Sequence, residues 1–75
     1  MERYKDIGGD SGVAAYEIGS DSITVQFKDG AVYLYTYASA GSDAIETMKG
    51  LAVSGDGLNS YINRNVRKKY AAKLG

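Results

Sequence analysis

The sequence contains no histidine, cysteine, proline or tryptophan. Without cysteine, neither disulfides nor a thiolate metal site can support the fold, and reducing conditions are tolerated. Without histidine or cysteine, the chain lacks the usual general base near neutral pH, the commonest metal ligand and the commonest soft nucleophile. A chain of 75 residues is also a small frame for enclosing a ligand pocket of roughly 300 Å³ or more. We therefore expect a protein that is not an enzyme and that uses no metal and no cofactor.

The first twelve residues mix charged side chains with Gly8, Gly9 and Gly12. No apolar stretch of the length of a signal peptide or a membrane helix follows them. We interpret residues 1–12 as a flexible lead-in to a single domain that spans residues 13–75. The sequence predicts a cytoplasmic, monomeric protein with no membrane partner.

The formal net charge is zero, but the charges are divided unevenly along the chain. Residues 1–57 hold nine acids and four bases, whereas residues 58–75 hold five bases and no acid. The basic residues of the second part are Arg64, Arg67, Lys68, Lys69 and Lys73. Such asymmetry is typical of a chain with an anionic partner, although the basic part can also face the acidic remainder of its own domain.

Three strands are predicted in the first half of the chain. Residues 13–18 are rich in β-branched and aromatic side chains, and residues 23–28 alternate apolar and polar positions with the period of a half-buried strand. Asp29 and Gly30 then mark a tight turn, after which residues 31–37 form the third strand. The pattern predicts an antiparallel meander.

Two helices are predicted after the meander. Asp43 with Glu46 three positions later forms a possible capping box, and an apolar face with helical spacing follows it: Ile45, Met48, Leu51 and Ala52. Gly50 weakens this helix by about 1 kcal/mol relative to alanine.

The last helix is expected to start near Leu58 or Asn59. Its apolar stripe repeats every four residues and docks on the sheet: Leu58, Ile62, Val66 and Tyr70. The fold class is therefore α+β, with a three-stranded antiparallel meander followed by two helices packed on one face.

Three tyrosines at alternate positions, Tyr33, Tyr35 and Tyr37, occupy one face of the third strand. If the hairpin loop has two residues, Val25 opposes Leu34 and the tyrosines face outward. They would then form a platform on which unpaired bases can stack.

A three-residue loop of Lys28, Asp29 and Gly30 reverses this arrangement, because Val25 then opposes Tyr33. The tyrosines join the core, as expected in a small domain with one phenylalanine. Burial of three hydroxyls, however, requires hydrogen-bond partners or access to water. We favour tyrosines that face inward or lie at the rim, and the platform stays open as the alternative.

The order of these motifs resembles that of the KTSC domain, a small bacterial domain that also occurs at the carboxyl end of some lysyl-tRNA synthetases. The similarity covers residues 13–70 and rests on Tyr16 and Glu17, the alternation of Ile23, Val25 and Phe27, the turn at Asp29 and Gly30, the pair Tyr33 and Tyr35, and residues 61–70. The chain lacks the Val-Pro pair that usually follows the tyrosines in that family. The resemblance implies an RNA-binding role only through the proteins in which the domain occurs.

The basic helix is the best candidate for a binding site. Its basic side chains Arg64, Arg67 and Lys68 share one side at 100° per residue, whereas Lys69 falls close to the apolar stripe. We expect all four to contact the phosphates of RNA or another nucleic acid, with Tyr33 and Tyr35 contributing if they are exposed. The alternative is a protein interaction or assembly module, which would pair a sheet edge with another chain or dock the basic helix on an acidic surface.

Overall fold

The computed structural model describes residues 1–9 and 11–75. Within this part, five antiparallel strands form one sheet whose spatial order follows the chain. The strands are β1 (Glu2–Arg3), β2 (Val13–Ile18), β3 (Ser22–Phe27), β4 (Val32–Thr36) and β5 (Ala72–Lys73). The helices are α1 (Tyr37–Ala40), α2 (Ser42–Ser54) and α3 (Leu58–Tyr61), and α3 continues directly into a π-helical segment, Ile62–Val66. The α+β class is confirmed.

The core lies between the sheet and the helices. Its sheet side comes from Tyr4 and from the inward-facing residues of the three long strands, and its helix side comes from the apolar positions of α2, α3 and the π-helical segment. The buried residues are Tyr4, Val13, Tyr16, Ile23, Val25, Tyr35, Ile45, Met48, Ala52, Leu58, Ile62 and Val66. The period-two and helical patterns of the sequence therefore mark the two faces of one core.

The β3–β4 hairpin has the three-residue loop. The backbone N–H of Phe27 donates to the carbonyl of Ala31 over 2.8 Å, and Gly30 takes a φ of +95°. Strand pairing then sets Val25 opposite Tyr33 and Ile23 opposite Tyr35. The two-residue alternative is wrong, because it would place Leu34 opposite Val25.

The three tyrosines have three different environments. Tyr35 is 1% exposed and belongs to the core, whereas Tyr33 is half-buried. Tyr37 has left the strand and begins α1 with an exposed ring. A continuous outward platform of three tyrosines is therefore absent from the described sheet.

Residues 2–4 belong to the domain, so the interpretation of residues 1–12 as a lead-in is wrong for them. Glu2 and Arg3 pair with β2, and Tyr4 is 3% exposed. The Tyr4 hydroxyl accepts a hydrogen bond of 3.3 Å from the backbone N–H of Leu58, at the start of α3. Burial of an aromatic ring and this long-range bond hold the segment in place. Asp10, in the same stretch, lies outside the described residues.

The predicted capping box of Asp43 and Glu46 is wrong. Gly41 is the N-cap of α2 and no side chain caps it. The Glu46 carboxylate instead accepts hydrogen bonds from the Tyr37 hydroxyl (2.6 Å) and from Lys49 Nζ (2.9 Å). A capping box does form at α1, where Thr36 and Ser39 bond reciprocally.

The last predicted helix begins at Leu58 as expected, but it is α-helical only as far as Tyr61 and π-helical from Ile62 to Val66, and it does not continue beyond Val66. Leu58, Ile62 and Val66 are buried, but Tyr70 is 40% exposed. Beyond Val66 the chain turns back and pairs with β4, with the N–H of Ala71 donating to Leu34 and that of Leu74 to Val32. The open edge of β4 offers backbone partners that a solvent-exposed helix end lacks.

Two glycines of the α2 region make a matched test of how the end of α2 packs against Lys5. Gly55 ends α2 with φ +81°, and an added Cβ would lie 2.6 Å from Lys5 Cβ, whereas one at Gly50 would meet nothing within 4 Å. We expect Gly55→Ala to lower the free energy of unfolding by more than about 1 kcal/mol, and Gly50→Ala to raise it by about 0.5–1 kcal/mol. Urea denaturation measures both, and equal effects of the two substitutions would contradict the left-handed backbone and the close Lys5 contact at Gly55.

Candidate functional site

An open groove of about 490 Å³ lies between the β3–β4 hairpin and the π-helical segment. We call it the hairpin groove. The residues that line it include Phe27, Asp29, Tyr33, Tyr35, Ile62, Asn63, Arg67 and Lys68. Its volume exceeds what we expected of so small a chain, because the groove is an open cleft between two elements and not an enclosed cavity.

Aromatic rings form the apolar side of the hairpin groove. Phe27 and Tyr33 are both half-buried, and their ring centroids lie 5.8 Å apart with an interplanar angle of 77°. Tyr70 packs against Tyr33 from outside the groove lining, with 4.8 Å between centroids. The three-residue loop creates this arrangement, since it places the two groove aromatics on the face that the helices cover.

Arg67 and Lys68 form the basic side of the groove. Both are exposed and directly follow the π-helical segment, whose Ile62 and Val66 anchor it in the core. Among residues 1–9 and 11–75, neither side chain has an acidic partner within salt-bridge distance. Lys28, which also lines the groove, is paired with Asp6 over 2.7 Å. Of the basic residues that line the groove, Arg67 and Lys68 are therefore the two without an acidic partner in the described part of the chain.

The structure brings together four of the six predicted site residues. Tyr33, Tyr35, Arg67 and Lys68 all line the hairpin groove. Tyr35 contributes little accessible surface to the groove, because its side chain is buried in the core. Lys69 lines a different depression, next to Ser42 and Asn65, and Arg64 lines neither.

Phe27 and Tyr70 are aromatic parts of this region that the sequence did not assign to a site. The alternation of Ile23, Val25 and Phe27 predicts only that Phe27 faces the core. The three-residue register places it opposite Ala31, and that pairing with a small residue was the signal that could have indicated an open space beside its ring.

Burial raises the pKa of the Tyr35 hydroxyl to about 12, and the neighbouring hydroxyls of Tyr33 and Tyr70 add to the rise, since a second negative charge beside them is unfavourable. Tyr35 is therefore neutral throughout the physiological range.

Among the described residues, no three carboxylates come together as a metal site would require.

No family model, no curated protein and no solved structure matches this chain. In the part of the chain that the structure describes, no helix has both the length and the apolar character needed to traverse a bilayer. The chemistry of the hairpin groove is consequently the basis on which a function can be inferred.

The raised pKa of Tyr35 gives a test of its burial. A group whose pKa is higher in the folded state stabilises the fold fully below its unfolded pKa, about 10, and this contribution is lost as the pH rises toward 12. We expect Tyr35→Phe to remove this alkaline loss, because phenylalanine has no hydroxyl to ionise. Thermal unfolding measured from neutral to alkaline pH tests this, and an unchanged alkaline loss in Tyr35→Phe would contradict it.

Proposed function

We propose that this chain is a non-catalytic nucleic-acid-binding module that binds RNA through the hairpin groove. Arg67 and Lys68 contact phosphates, and Phe27 and Tyr33 contact a base. One observation carries this proposal: two half-buried aromatic rings and two cationic side chains without an acidic partner among the described residues line the same open groove. Aromatic rings combined with a positive groove are what single-stranded nucleic-acid binders use.

The magnitudes expected of such a groove are modest. Stacking of one base on an aromatic ring contributes about 1 to 3 kcal/mol. Each phosphate neutralised by a cation adds a contribution that weakens with salt, with a slope of about −0.7 in log K against log salt concentration for single strands. Two cations and one aromatic corner therefore support weak, salt-sensitive binding.

The preference for RNA over DNA rests on the resemblance to the KTSC domain. In that family the alternate tyrosines are the constrained positions, and here Tyr35 is buried while the residue between the tyrosines, Leu34, lies on the other face of the sheet. This agreement supports placing the chain in that family as part of the proposal. We also propose that the chain is bacterial and that it acts as a cytoplasmic monomer without a cofactor.

The sheet supports the alternative of a protein-interaction module in one respect. Its face away from the helices carries a small apolar strip of Val32, Leu34, Ala72 and the exposed Leu74. Strand addition at the edges is less well supported, because β1 and β5 have only two residues each. A basic surface that meets an acidic protein would use the same Arg67 and Lys68.

The proposed function can be tested with single alanine substitutions in the basic segment, residues 64–68. We expect Arg67→Ala and Lys68→Ala each to weaken binding of a short single-stranded RNA and to reduce the salt slope by about 0.7. Arg64→Ala is the matched control, because it removes an equal charge from the same segment but outside the groove. Affinities come from the anisotropy of labelled RNA at several salt concentrations.

Amide chemical shifts of the wild-type protein provide the second measurement. Binding in the groove should move the signals of Phe27, Tyr33 and residues 62–68 together. An absence of shifts with RNA and with DNA at high micromolar concentration would refute the proposed function. Equal losses in Arg64→Ala and Arg67→Ala would refute the assignment of binding to the groove.

A further inference from the structure

We infer that the hairpin groove holds a single unpaired nucleotide, so that its ligand is an RNA loop, bulge or free strand and not a continuous duplex. The inference rests on the proposed function and deepens it, because phosphate contacts alone would be satisfied equally by a duplex. It follows from the arrangement of the aromatic rings, from the size of the groove and from the position of its charges.

The rings offer a corner and not a platform. The ring planes of Phe27 and Tyr33 meet at 77°, so a flat base that stacks on one ring cannot also lie parallel to the other. The next tyrosine along the strand, Tyr35, is 1% exposed and cannot receive a second base. Tyr37 begins α1, outside the groove lining. Only one base can therefore be stacked at this site.

The recess excludes a paired base. In a duplex the two faces of each base are covered by its neighbours, and only its edges are open in the grooves. Phe27 and Tyr33 both line an open cleft of about 490 Å³, within the range of pockets that hold one small ligand, about 300 to 1,000 Å³. A base reaches these rings only after it has left the stack.

The ring of Tyr33 is held in place before a nucleotide binds. Tyr70 packs against Tyr33 with 4.8 Å between centroids, and Lys73 Nζ lies 5.9 Å from the centre of the same ring. Neither side chain is part of the groove lining. Because Tyr33 is supported from outside, little side-chain entropy is lost when a base stacks on it.

The charges of the groove give the nucleotide a direction. Arg67 and Lys68 attract phosphate on the helical side, whereas the Asp29 carboxylate on the hairpin side repels it. Asp29 Oδ1 accepts a hydrogen bond from the N–H of Ala31 over 3.0 Å, and its other oxygen can accept from an amino group of a base or from a ribose hydroxyl. The phosphate therefore lies toward the π-helical segment and the base points toward the hairpin.

The test compares three labelled RNAs of matched sequence. The first is a fully paired hairpin whose loop is a non-nucleotide linker, and the second is the same hairpin with one bulged nucleotide. The third is a single strand with the sequence of one side of the stem. We expect the bulged hairpin and the single strand to bind at least about fivefold more tightly than the paired hairpin, as loss of one stacked base predicts. Tyr33→Leu should remove most of this difference. Tyr61→Leu is the matched control, because Tyr61 is also half-buried but does not line the groove.

The possible failures can be told apart. Equal affinity for the paired and the bulged hairpins, with binding still weakened by Arg67→Ala, would overturn the unpaired-nucleotide inference and leave phosphate binding in place. Equal effects of Tyr33→Leu and Tyr61→Leu would also overturn it. If Tyr33→Leu does not fold, Phe27→Leu tests the same corner, and the comparison of RNAs with the wild-type protein needs no variant. Absence of binding to all three RNAs would refute the proposed function itself.

Discussion

The register of the β3–β4 hairpin is the constraint on which the rest of the molecule depends. It is set by three residues, with Gly30 at φ +95° and the Asp29 side chain bonded to the N–H of Ala31. A slip of one residue would send every side chain of β4 to the opposite face. Tyr35 would leave the core and Leu34 would enter it, and Tyr33 would no longer stand beside Phe27. The core and the hairpin groove are thus two results of one loop length.

The long elements could be predicted from the sequence because each has its own periodicity. Ile23 and Val25 mark the buried face of β3, and Ile45 and Met48 mark that of α2. The two-residue strands β1 and β5 have no period to detect, and they form only because the long strands offer open edges. Burial of Tyr4 likewise depends on the start of α3, 54 residues away along the chain. Such contacts are properties of the assembled fold and leave no local pattern.

The candidate site was predictable in its chemistry and only partly in its geometry. The excess of basic residues at the end of the chain pointed to Arg67 and Lys68, and the helical spacing set Lys69 apart from them but grouped Arg64 with them. The reason lies in the π-helical segment, whose wider turn has i→i+5 hydrogen bonds and changes the direction of each following side chain. The side-chain directions calculated at 100° per residue therefore no longer apply at Arg67. No pattern in residues 62–66 indicates the wider turn.

The distribution of charge explains why such a groove needs its aromatic rings. With a net charge of zero, the whole molecule exerts little long-range attraction on a polyanion. Lys28 and Lys49 are paired with Asp6 and Glu46, pairs that contribute little to stability when exposed but that remove two cations from the available surface. Arg67 and Lys68 can then supply only a local, salt-sensitive attraction. Selectivity in such a groove must come from the rings of Phe27 and Tyr33, because stacking contributes binding energy that depends little on salt and requires a base that is free to enter.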